Sequence, residues 1–332
     1  MSVDLFYPWN RPRASRVEQL ITQITSLQSE VIWGVNSGEA QKTHTREKID
    51  EYLKNNKLSS IDDLKKKMED TLGEEQKKAY RDMMKSFEEF NGELSTEFEI
   101  ISAIGAIAGT VAASAKFLEF VQAGGIALGA KLAARGLAKI LGKEAELGVK
   151  MMTVALRGLK SFTQGFELSE TALKAIKMVK IAGEVIGAIA IVLDGILAIV
   201  AAVEGDKQRT KLNDAINDLV YRRFSTMELR KLGKVYEAYV GGMYQTIVQY
   251  TAADTLPDLP ESVRKQIMDA SIQSIIKNLK TESAKITFDT TYNDLATMDE
   301  TAKAFTEEDP KKEALREWYK TEKDPKKFKK DD

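Results

Sequence analysis

The sequence predicts an all-α protein, an elongated helical bundle with a hydrophobic Gly/Ala-rich head inserted in the middle of the chain. Three observations carry this. The six prolines lie at 8, 12, 257, 260, 310 and 325, so Arg13 to Leu256 contains none of the residue that breaks helices. Apolar residues recur at three-four spacing on both sides of the centre. Between those flanks stand runs of small apolar residues almost free of charge. Composition marks out a helical-bundle tail at 1–98 and 205–305, a head at 99–204 and a charged C-terminal tail at 306–332.

In the first zone, Ser15-Arg16-Val17-Glu18 has the order of a capping box, in which the serine oxygen and the Glu carboxylate satisfy orphan backbone donors, and predicts a helix start. Val17, Leu20, Ile21, Ile24, Leu27, Val31 and Val35 then form one stripe that faces a partner helix. Asn36-Ser37-Gly38 reads as a polar break. Shorter helices are expected near Thr45 to Lys54, Ile61 to Leu72 and Glu74 to Asn91, the last with Tyr80, Met83, Met84, Phe87 and Phe90 inward. Antiparallel packing of these helices is the expected arrangement.

The head begins with Ile100 to Ala115, sixteen residues without a charge, and continues with Phe120 to Ala130. A third run, Val185 to Val203, is interrupted only by Asp194. At 1.5 Å per residue such runs span ~24–29 Å, just short of the roughly 30 Å hydrocarbon core of a bilayer. The residues expected to enter lipid are Ile100, Ile101, Ile104, Ile107, Val111, Phe117, Phe120, Ile126 and Leu128, then Val185, Ile186, Ile189, Ile191, Val192, Leu193, Ile196, Leu197, Ile199 and Val200. Glycines four apart share a helix face and admit another backbone. Such pairs are Gly105 with Gly109, Gly125 with Gly129, and Gly183 with Gly187. The same small residues also pack helices inside a bundle that never meets lipid.

Residues 131–180 carry ten Lys/Arg against four Glu, in a chain whose net charge is -1. Basic residues alternate there with Leu, Ile and Met, the composition of amphipathic helices that lie on anionic membranes. Lys131, Arg135, Lys139 and Lys143 are the expected headgroup contacts. Glu184 and Asp194 stand within apolar sequence, where a carboxylate is costly unless paired or wet. They are expected to line a lumen, to act as a switch, or to form a salt bridge within a bundle.

The third zone carries a second capping-box pattern, Ser225-Thr226-Met227-Glu228, followed by Leu229, Leu232, Tyr236, Tyr239, Met243 and Tyr250. A single helix from Gly205 to Ala253 would extend ~74 Å. Pro257 and Pro260 force a turn, and Glu261 to Lys280 make another helix. Thr287 to Asp294 reads as a loop or short strand. Residues 306–332, with nine basic and nine acidic side chains, read as a frayed or surface-lying tail docked weakly by Trp318, Tyr319 and Phe328.

With no cysteine and one histidine, thiol catalysis, disulfide frameworks and multi-histidine metal sites are excluded. The 49 basic and 50 acidic residues give no global attraction for nucleic acid. Gly124 to Lys131 comes nearest to a phosphate loop, but an alanine separates Gly129 from Lys131 and no strand precedes it. His44 lies in a polar surface stretch. No spacing points to an enzyme site, so a non-enzymatic protein without a cofactor is expected. The first fifteen residues lack the basic-then-apolar order of a secretory leader, so release without a recognisable signal peptide is expected.

This layout resembles the α-helical pore-forming toxins of the cytolysin A and haemolysin BL type. The matching features are heptad helices before and after (Val17 to Val35, Leu212 to Tyr250) and an apolar head between them (Ile100 to Ala130, Ile181 to Val203). The resemblance implies a soluble form that binds the membrane of another cell, inserts its head and assembles as a homo-oligomeric pore, with a second toxin component in some systems. The alternative from the residues alone is a soluble helical interaction or scaffold protein whose apolar hairpin is simply buried.

Overall fold

Proline placement frames the long helices. Pro12 sits in the first turn of α1 (Arg11–Asn55), where its missing N–H would have had no partner. In the computed structural model, which describes residues 6–88, 95–111, 116–142, 144–160, 168, 170–176, 179 and 206–321, the helix runs unbroken for 45 residues. There follow α2 (Ile61–Glu69), α3 (Glu74–Glu88), α4 (Ser95–Val111), α5 (Lys116–Leu141) and α6 (Ala145–Lys160). Then come α7 (Asp206–Asp254), α8 (Glu261–Ala284), α9 (Phe288–Thr301) and α10 (Lys312–Thr321). The protein is an all-α elongated bundle; its described residues are 87% helical and contain no strand. The 49 residues of α7 alone extend about 74 Å.

The main pair of helices, α1 and α7, is parallel. The Asn10 side-chain amide donates to Gln208 at 3.0 Å, the Arg13 Nε to Asn213 at 3.1 Å, and the Asn56 amide to Asp254 at 3.0 Å. Partners stay 198 to 200 residues apart from one end to the other. Ring centroids of Tyr52 and Tyr250 lie 5.6 Å apart at the far end. Two long parallel helices cannot be joined by a short loop, so the intervening chain has to travel back along the bundle. α8 then returns antiparallel to α7: Arg264 meets Asp254 at 3.3 Å, Ser271 donates to Gln249 at 3.0 Å, and Lys231 reaches the Lys285 carbonyl at 3.1 Å.

Three apolar cores lie along the axis. Val17, Leu20, Ile24, Leu212, Ile216 and Leu219 fill the seam at the N-terminal end. Leu27, Phe224 and Met227 meet Phe288, Leu295 and Leu315 in the middle. From Val31 and Leu229 onward the seam opens into the largest core, which takes in α2 to α6 and α8.

Four local expectations are overturned. Ser15 is an exposed residue inside α1, because the helix is already under way at Arg11. Asn36-Ser37-Gly38 is continuous helix: a Cβ at Gly38 would lie 2.9 Å from the Tyr236 ring, so the small residue serves close packing and breaks nothing. Ser225 and Thr226 lie inside α7, their hydroxyls donating back to the Tyr221 and Arg222 carbonyls at 3.1 and 2.9 Å. Thr287 to Asp294 is the start of α9, with Thr287 and Thr290 capping each other reciprocally.

Within the tail Lys312–Thr321 is helical and Leu315 is 2% exposed, so the expected fraying does not apply to that helix. Trp318 and Tyr319 dock it, as anticipated. Phe90, Phe328 and the side chains of Val35, Met83, Met84 and Phe87 lie outside the described residues.

Because the chain has no native cysteine, pairing direction is open to cross-linking. Asn56→Cys with Asp254→Cys is expected to react in good yield with a short bismaleimide, whereas Asn10→Cys with Asp254→Cys is not. The reverse result would mean an antiparallel pair.

Candidate functional site

The charge-poor helices α4 and α5 occupy the interior of the wide end. Ile100, Ile101, Ile104, Ile107, Phe120, Ile126 and Leu128 are each at most 2% exposed. α4 packs on α1, α2, α5 and α8, and α5 on α1, α3, α6, α7 and α8. Every described side chain expected to enter lipid is therefore covered by the bundle in this conformation. The side chains of Val111 and Phe117 and the whole of 180–205, with Val185 to Val200, Glu184, Asp194, Gly183 and Gly187, lie outside the described residues.

The crossings explain the small residues. Tyr239 of α7 lies across α5: its ring is 5.6 Å from that of Phe120, and its hydroxyl donates to the Phe120 carbonyl at 3.3 Å. Burial pushes the Tyr239 phenol well above its ordinary pKa, so it stays a neutral donor. A Cβ at Gly124 would come within 2.6 Å of that hydroxyl and 3.0 Å of Ile101. Gly124, the neighbour of the expected Gly125, thus permits the α4–α5–α7 junction.

A Cβ at Gly129 would sit 2.5 Å from the Leu159 side chain of α6. Gly105 and Gly125 are buried, and the surroundings of Gly109 fall outside the described residues. A backbone-to-backbone approach was not anticipated: a Cβ on Gly136 would lie 2.8 Å from the Gly148 carbonyl, and one on Gly148 2.5 Å from the Gly136 carbonyl. Gly136 and Gly148 stand on different helices, so no single-helix spacing could reveal them.

The basic connector is only partly at the surface. Lys131, an expected headgroup contact, is fully buried with its ammonium 5.4 Å above the Tyr236 ring. Arg135 and Lys139 are half-buried, Lys139 pairing with Glu144 at 3.1 Å, and Lys143 falls outside the described residues. Gly124 to Lys131 is continuous helix with no phosphate-cradling loop. Among the described residues no helix is long and apolar enough to cross a membrane, and no group of three or more acidic, His or Cys side chains gathers around a metal position.

A second polar centre went unforeseen. Asp299 of α9 accepts from Arg16 of α1 at 2.7 and 3.1 Å and from Arg223 of α7 at 2.6 and 2.7 Å. Arg16 also donates to both oxygens of Asp309, its Nε at 3.0 Å. Arg16 is 1% and Arg223 3% exposed. Burial opposes ionisation of Asp299, but the hydrogen bonds and charges of Arg223 and Arg16 outweigh it and hold its carboxyl below the ordinary range. For Asp309 burial prevails over Arg16 and raises the carboxyl. The partners are 76 to 293 residues apart, so no short motif could announce them.

Comparison with known protein families, characterised proteins and solved structures finds no match to this chain.

Two outcomes follow. Gly148→Ala is expected to destabilise by about 1–3 kcal/mol through overpacking at the crossing. Gly233→Ala, with nothing within 4 Å of its Cβ, is expected to be neutral or to stabilise by up to about 1 kcal/mol. Urea unfolding of both variants reads this.

Asp299→Asn is expected to lose about 3–5 kcal/mol at neutral pH, because it leaves two buried guanidiniums short of charge. Since the folded carboxyl is lowered, the stability it contributes is intact above the ordinary carboxylate range and disappears as pH falls through that range to the lowered value. The gap between variant and wild type should therefore close in acid, as read by urea midpoints from pH 7 to pH 2.

Proposed function

We propose that this chain is a non-enzymatic, conditionally membrane-inserting pore former of the α-helical kind that its layout resembles. One observation supports this reading above others: charge-poor helices α4 and α5 are gathered at one end of an elongated amphipathic bundle and covered by it. α4 has 17 residues, about 25 Å, and is too short to span as it stands. The charge-free sequence runs on to Ala115, so a span arises when α4 is lengthened through its C-terminus after leaving the sheath.

In this mechanism the sheath keeps the protein in solution until it meets the membrane of another cell, where a lipid surface competes for the apolar face. α5 leaves α7, which brings Lys131 out from under Tyr236 and toward headgroups with Arg135, Lys139 and Lys143. Val185 to Val203 follows, with Glu184 and Asp194 turned to a lumen or neutralised before entry. Copies of the chain then associate through their glycine faces, and a second component joins where assembly requires one. No enzyme activity, cofactor or nucleic acid enters the scheme.

The complete burial of Ile101, Ile104, Ile107 and Ile126 also favours a second reading, a helical scaffold whose apolar hairpin is a permanent core. Dye-loaded liposomes separate the two. Purified protein, with and without a partner fraction, is expected to release dye from anionic or neutral vesicles at some pH between 4 and 8. Absence of both binding and leakage across that range would leave the scaffold.

A further inference from the structure

We propose that Phe288–Thr321, comprising α9, the 302–311 connection and α10, is a detachable strap that fastens α1 to α7 and holds the narrow end of the bundle shut. The anchor is the Asp299 carboxylate, which binds guanidiniums from two different helices at once, Arg16 on α1 and Arg223 on α7. Neither helix can separate or slide past the other without breaking a bond to the same carboxylate. Asp309 adds a second grip on Arg16, and Glu308 on Arg13. Farther along, Trp318 stands 5.0 Å from the ring of Tyr221, and Phe224 lies 5.3 Å from Phe288 and 5.7 Å from Tyr319.

Three features make this a strap rather than another layer of core. Its cluster is separate from the core that holds α4 and α5, sharing only the rims of Trp318 and Tyr319 with it. The segment is joined to α8 only through the short connection Lys285 to Thr287, and its helices α9 and α10 lie against α1 and α7 from outside the main pair. Its polar grip on α1 is made of charged hydrogen bonds, beside the apolar contact with Leu27. A buried ion pair contributes little net stability against an apolar substitute but is severely weakened when one partner is lost, the behaviour of a catch.

Lifting the strap uncovers Leu27, Phe224 and Met227 and leaves Arg16 and Arg223 facing each other across the seam without their shared counter-charge. The like charges then favour parting of the pair. This inference rests on the fold alone and holds under either functional reading.

The test uses the full-length chain carrying Asp299→Ala and Asp309→Ala, with spin labels placed through Glu18→Cys and Asp214→Cys for the stalk, or Asp62→Cys and Lys277→Cys for the body. All four labelled positions are exposed. The stalk distance is expected to broaden and lengthen while the body distance stays as in the chain with both aspartates. An unchanged stalk distance, or a body distance that broadens equally, would overturn the proposal. Should the double variant not fold, native-state amide exchange of the unaltered chain decides. Residues 288–321 are then expected to open about tenfold or more often than residues 100–108. Equal opening of the two regions would refute a detachable strap.

Discussion

The constraint on which everything else hangs is the parallel register of α1 and α7. Their partners keep a separation of 198 to 200 residues from Asn10–Gln208 to Asn56–Asp254. A parallel pair obliges the chain between its two members to return to the starting end, and the described part of that intervening chain packs α4, α5 and α6 into the wide end of the bundle. Had α1 and α7 been antiparallel neighbours, α4 and α5 could have stood apart as a projecting hairpin. Instead the long pair, with α8 and the short helices α2 and α3, surrounds them, and the same geometry draws Lys131 to the face of Tyr236 and Tyr239 over Gly124.

That enclosure carries a physical tension. α4 and α5 are covered by side chains that stabilise them as a core does, yet they are more apolar than the amphipathic helices around them. Small residues resolve the packing problem, because Gly124, Gly129, Gly136 and Gly148 let backbones meet where larger side chains would clash. The cores of the narrow end are built differently, from a heptad seam closed by one half-buried carboxylate between two buried arginines. Opening at one end therefore need not disturb the other.

The periodic signals were legible. The stripe from Val17 to Val31, the length of α7, the turn at Pro257–Pro260 and the docking by Trp318 and Tyr319 could all be read from residue order, because each depends on near neighbours along one helix. Local start and stop signals misled for a related reason. Ser15 and Ser225 have capping chemistry, but a hydroxyl within a continuing helix simply donates to the carbonyl a turn earlier, as Ser225 does to Tyr221. Gly38 carries a break signal that close approach of Tyr236 overrides. The clasp among Arg16, Arg223, Asp299 and Asp309 and the Gly136–Gly148 crossing were invisible, since both arise only when distant segments meet.

We propose that the interior helices exchange a protein sheath for a lipid one. Amide exchange of residues 100–108 and of α7 around Tyr239, measured in solution and on anionic vesicles, addresses it most directly. The account predicts strong protection of both regions in solution. On vesicles α7 near Tyr239 should become readily exchangeable while α4 remains protected by lipid. Identical protection maps with and without vesicles, for protein demonstrably bound to them, would contradict it.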